Sequence, residues 1–99
     1  VGQWSFIKVN DSNIIIETVK NAYEGHAVVA RMYENQGGRT KTYIQVPMID
    51  AKEVFVCDMM ENELYKIEKE DVGYPILIKP YEIITIKIVY DIIEENYGI

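Results

Sequence analysis

A chain of 99 residues has room for one domain and excludes a second. The hydrophobic fraction of 48% is that of an ordinary globular protein, and a net charge of -6 argues against nucleic acid or anionic lipid as a partner, since both attract clustered Lys and Arg. A lone cysteine, Cys57, excludes an internal disulfide and fits a reducing, cytoplasmic compartment.

Taken in order, residues 4–9 are a short strand and residues 10–13 (NDSN) a turn whose side chains can bond nearby backbone. Residues 14–20 are rich in Ile, Val and Thr, which favours a second strand. The organising stretch is residues 17–38. Within it Val28, Ala30 and Met32 alternate with Ala27, Val29, Arg31 and Tyr33, the period of a pleated strand. Turns at 21–25 and 35–38 bound this strand, so it is expected inside a sheet with a hairpin neighbour on each side. Gly25 and Gly37 are the turn glycines that accommodate positive φ there.

Residues 39–47 alternate again, with one wet face, and Pro47 ends the pairing. Residues 51–59 place Phe55 and Cys57 opposite Val54 and Val56. A short strand over 64–68, a charged loop over 68–73 and a strand over 74–79 follow, and Pro80 interrupts the pairing. In residues 82–90, Ile84, Ile86, Ile88 and Tyr90 form an apolar face, with Thr85 and Lys87 on the wetter one. Residues 91–99 read as a helical turn or a frayed tail, with a helix over 86–97 as the competing reading. About eight short strands with turn signals every 8–12 residues predict an all-β antiparallel sandwich, immunoglobulin-like or of a related two-sheet architecture. The chain begins at Val1 and enters a strand almost at once, as expected of a fragment of a longer multidomain protein.

Chemistry is sparse. One His and one Cys cannot assemble a zinc site, and the carboxylates Asp58, Glu61, Glu63 and Asp71 lack the spacing of a Ca²⁺ loop, so they read as solvated loop residues. Ser5 and Ser12 lie in no nucleophile elbow, Cys57 reads as a small core residue and His26 as a turn residue. Sixteen acidic residues offer many possible catalytic pairs, but sequence does not show which converge. Gly37-Gly38 lacks the Lys and helix of a phosphate loop. No catalytic and no metal residue is assigned within the chain. Eight tyrosines and Trp4 leave a sugar-stacking face open, although aromatics are also ordinary sheet filling.

The run IIIETVKNAYEGHAVVARMYENQGG resembles the C-terminal β-sandwich of glycoside hydrolase family 38, the α-mannosidases. The resemblance rests on Lys20 closing an apolar strand, Glu24 with Gly25, then Arg31, Tyr33, Glu34 and Gly37. It extends through Asp58, Met59, Met60 and Glu61 to Pro80, Glu82 and Thr85, and covers most of the chain, roughly from Ser5 to Ile88. Met59 and Met60 stand where leucines are more usual.

The resemblance implies a non-catalytic accessory domain. The aspartate nucleophile and catalytic zinc of the retaining parent enzyme would lie in a separate N-terminal domain, with no cofactor in this fragment. Its partner would be that catalytic domain, and mannoside substrate would be met only through the parent. Arg31, Glu34 and Glu61 become candidate interdomain or active-site-rim contacts. The plainer readings are an Arg31 pair with Glu17 or Glu34, local bonding by Lys20, and solvated Glu34 and Glu61. The rival function is an independent immunoglobulin-like or carbohydrate-binding module.

Overall fold

The computed structural model describes residues 7–22, 26–46 and 51–90. Its strands, in chain order, are β1 (Lys8–Val9), β2 (Ile14–Asn21), β3 (Ala27–Glu34), β4 (Thr40–Gln45), β5 (Ala51–Cys57), β6 (Glu63–Ile67), β7 (Tyr74–Ile78) and β8 (Ile83–Tyr90). All pairings are antiparallel, in a three-stranded sheet β1-β4-β7 and a five-stranded sheet β2-β3-β8-β5-β6. The all-β sandwich expected from alternation is therefore the fold. Gly25, Pro47 and the tail 91–99 lie outside the described residues, as does the first half of the first expected strand.

Cross-strand pairs explain the core. Val28, Ala30 and Met32 of β3 stand opposite Ile88, Ile86 and Ile84 of β8, and on the other flank Val54 and Val56 of β5 oppose Ile88 and Ile86. These side chains meet Ile44, Ile76 and Ile78 from the smaller sheet in one buried cluster. Burying an aliphatic side chain of this size stabilises by about 1.5–3 kcal/mol relative to exposure. Two sheets that each hide one face are the arrangement that period-two alternation demands.

Two details depart from the sequence reading. The turn at residues 35–39 does not close a hairpin. β3 lies between β2 and β8, and β4 crosses to pair with β1 and β7 in the other sheet. The turn residues bound the strand as expected, but they cannot say which sheet the next strand joins.

The second departure concerns the outer face of the five-stranded sheet, which is not wet. Ala27, Val29, Cys57 and Thr85 are all buried there, outside the central cluster. The register sets Thr18, Arg31, Thr85, Cys57 and Glu63 in one row and Lys20, Val29, Lys87, Phe55 and Lys66 in the next. Small residues thus lie between long ones. Nζ of Lys87 reaches Glu63, and Nζ of Lys20 reaches Glu61 in the β5–β6 turn, each at 3.1 Å. Long aliphatic stems carrying a terminal charge shield small residues beneath them. Cys57 is accordingly buried on this outer side, and burial pushes its thiol pKa up, away from thiolate chemistry.

Candidate functional site

Glu34, the last residue of β3, is 1% exposed. One carboxylate oxygen, Oε1, accepts the backbone N–H of Gly37 at 2.7 Å and of Tyr81 at 2.9 Å. The other, Oε2, accepts the Gln36 backbone N–H and the Asn13 amide, both at 2.9 Å. Asn13 Nδ2 also donates to Thr40 Oγ1 at 2.8 Å, and Thr40 Oγ1 donates to the Gly38 carbonyl at 3.0 Å. One side chain therefore joins the turn before β2, the β3–β4 connection and the β7–β8 turn. Burial by itself pushes this carboxyl up. The Tyr81 backbone N–H, with the Asn13 amide and the turn N–H groups, outweighs that and holds it at about 2.

The β7–β8 turn is held in an unusual shape. Tyr81 has φ +59, uncommon for a bulky residue, and its ring passes over Gly37, which has φ +83. A Cβ on Gly37 would come within 2.9 Å of the Tyr81 phenol oxygen. Gly37 thus answers both a backbone and a space requirement. Tyr81 stays largely exposed, and with Glu17, Tyr33, Asn35 and Ile83 it edges a recess of about 390 Å³ whose inner wall is Glu34.

A second node closes the β5–β6 turn. Asp58 Oδ1 accepts the backbone N–H groups of Met60 and Asn62, both at 2.9 Å, and Oδ2 accepts the Asn62 amide at 3.1 Å. Bonds from the Asn62 backbone and side chain are the main reason the Asp58 carboxyl stays below its ordinary range. Glu61 has φ +69 and pairs with Lys20, its side chain only 16% exposed. Asp58→Ala is expected to lower the melting temperature by about 3–8 °C, because a capping acceptor is lost from an exposed turn. A thermal melt followed by circular dichroism checks it.

These positions revise several expectations. Arg31 pairs with neither Glu17 nor Glu34. Its Nε is buried without a hydrogen-bond partner, while Glu34 is saturated by N–H donors. Glu34 is buried rather than solvated, Glu61 is partly buried against Lys20, and Lys20 bonds across the sheet rather than locally. Three loop carboxylates that read as merely solvated have partners instead. Asp58 is spent on its own turn, Glu61 on Lys20 and Glu63 on Lys87. Among the described residues no group of three or more His, Cys, Asp and Glu is placed to hold a metal ion, so they do not fit a zinc ion.

Tyr81 and Asn13 escaped the sequence reading because their partners lie 47 and 21 residues from them. The bond from the Met60 N–H to Asp58 was legible in principle, since an Asp side chain in a turn commonly accepts the backbone N–H two residues on.

Residues 13–86 match the family described as the glycosyl hydrolases family 38 C-terminal beta sandwich domain. The chain belongs to this family. It is also similar to alpha-mannosidase G of Dictyostelium discoideum, at 30% identity over 87 residues, or 86% of the chain. The match covers 8% of that relative's length. In this family 38 domain the matched segment holds both nodes, from Asn13 through Asp58 and Glu61 to Tyr81.

Proposed function

We propose that this family 38 domain serves as a packing and support module within a longer α-mannosidase. The carrying observation is the family match over residues 13–86, beside a relative more than ten times longer than the matched stretch. In this reading the carboxylate nucleophile, the acid/base and a zinc ion belong to the rest of the polypeptide, and mannoside substrate is met there. The buried carboxylate of Glu34 supports the reading as well, because it stiffens three connections at one end of the sandwich and invests nothing in chemistry.

The test is deletion of the domain from the longer enzyme. Mannosidase activity or thermal stability is expected to fall severalfold or by several degrees. Unchanged activity together with an unchanged melting temperature would remove this role. The rival reading, an independent carbohydrate-binding module, draws on the recess beside Tyr81 and Tyr33, since an exposed aromatic next to a carboxylate and an amide suits a sugar ring. Titration of the isolated chain with mannose and manno-oligosaccharides, followed by NMR, separates the two. Saturable shifts at Tyr81 favour the module, and their absence favours support.

A further inference from the structure

Strand β2 carries one residue more than its partner. Ile16 opposes Met32 and Thr18 opposes Arg31, so Glu17 between them stands opposite nothing. The extra residue lets Ile16 and Val19 both pack against the core, and it leaves Glu17 exposed. Among the described residues Glu17 has no ion-pair partner.

Glu17 borders the recess of about 390 Å³, together with Tyr33, Glu34, Asn35, Tyr81 and Ile83. No Lys or Arg lines it, and Arg31, two residues before Tyr33, stays outside. Tyr81 and Ile83 are both more than half exposed. Tyr33 lies between Ile15 and Ile83 in the cross-strand row that floors this end of the sheet. The Tyr81 ring is held in place, because its backbone N–H binds Glu34 and its edge lies against Gly37. A ligand would therefore meet an aromatic face that is already oriented.

The chemistry of the walls selects a class of ligand. Glu34 offers charge and not hydrogen bonds. Its oxygens already receive four N–H groups, which are neutral, so the negative charge remains while the acceptor sites are filled. A sugar, which needs convergent hydrogen bonds, gains little from that wall. A hard metal ion needs several oxygen ligands, and among the described residues no such group converges. An alkylated ammonium ion fits better. Two carboxylates and the electron-rich ring faces attract its charge, and Ile83 meets its alkyl groups.

We infer that this recess binds a small organic ammonium ion, its nitrogen against the Tyr81 ring and the Glu17 carboxylate and its alkyl groups toward Tyr33 and Ile83. The site goes beyond the support role and does not depend on it.

Titration of the 99-residue chain with tetramethylammonium chloride at constant ionic strength, followed by NMR, tests it. Saturable shifts of the Glu17, Tyr81 and Ile83 amides are expected, with a dissociation constant on the order of millimolar for so open a site. tert-Butanol, a neutral molecule of similar shape, should bind at least about threefold more weakly. Equal binding of the two would show a recess indifferent to charge and overturn the inference. The absence of shifts with tetramethylammonium would overturn it as well, and the support role would stand in either case. Shifts with mannose in place of tetramethylammonium would overturn it in favour of the sugar-binding module. As a second arm, Tyr81→Leu and Glu17→Gln should each weaken tetramethylammonium binding at least about threefold, while Tyr81→Phe keeps it. Glu17 is exposed, so Glu17→Gln should leave the melting temperature within about 2 °C of the parent. Unchanged affinity in both weakening variants would overturn the inference.

Discussion

Glu34→Gln is expected to lower the melting temperature of the domain by more than about 10 °C, although it changes only one heavy atom. The reason is the sign of the bonding. All four groups that meet the Glu34 carboxylate are N–H donors. A carboxylate offers acceptors at both oxygens, whereas an amide offers one oxygen and one NH₂. Whichever way the glutamine turns, two buried donors face a third donor, and each loses its partner in a site closed to water. The loss is not local, since the Tyr81 N–H belongs to the β7–β8 turn and the Asn13 amide to the turn before β2. With its N–H released, Tyr81 has less to hold it at φ +59. Chemical denaturation or a thermal melt of wild type and variant measures the effect, and equal stability would deny Glu34 this role.

The same substitution has a pH signature. The Glu34 carboxyl drops from its ordinary 4.5 to about 2 in the folded state. Between those values the unfolded chain binds the proton that the folded chain refuses. The contribution of the carboxylate is therefore complete above pH 4.5 and drains away as pH falls toward 2. The stability gap between wild type and Glu34→Gln should be constant from pH 7 to 5 and narrow steadily below 4.5. A gap independent of pH down to 2.5 would mean that the carboxylate is not the stabilising form.

Gly73→Ala is the second large effect, with an expected cost of about 2–4 kcal/mol. Gly73 has φ +142, in a region where side-chain-bearing residues are strained. A Cβ placed there would lie 2.6 Å from the Ile44 carbonyl oxygen and 3.2 Å from Gln45 Cγ. The closest atom is backbone, in the strand that β7 pairs with, and it cannot swing away as a side-chain tip does. Relief requires moving β7 off β4 just where Tyr74 opposes Ile44, or opening the reciprocal bonds between Gly73 and Glu70. Gly38→Ala is the control. Nothing stands within 4 Å of its Cβ position, and a change of less than about 1 kcal/mol is expected. Equal losses at the two glycines would show that the Ile44 approach is not limiting.

Much of the strand content was legible because side-chain period and turn chemistry are local properties. Ile84, Ile86 and Ile88 alternate and are buried, as their spacing required. The burial of Cys57 was read correctly, but the outer-face burial of Val29 and Thr85 was not legible, because it depends on the register that brings Lys20 and Lys87 beside them. The resemblance marked Arg31, Glu34, Glu61 and Gly37 as a group, yet gave no hint that Glu34 is the buried one and that Arg31 stands apart from it.

Composition and alternation, by themselves, determined an all-β fold with β2, β3, β4, β5, β6, β7 and β8 near their observed places. The motif order was sufficient to point to the family 38 C-terminal sandwich. Tertiary structure alone decided that β4 leaves β3 for the other sheet and that Glu34 meets Asn13 and Tyr81. The physical reason is range. Propensity, pleat and turn preference act over a few residues. Edge status, cross-sheet pairing and the sharing of a buried carboxylate depend on groups tens of residues apart, whose meeting is selected by the packing of the whole core.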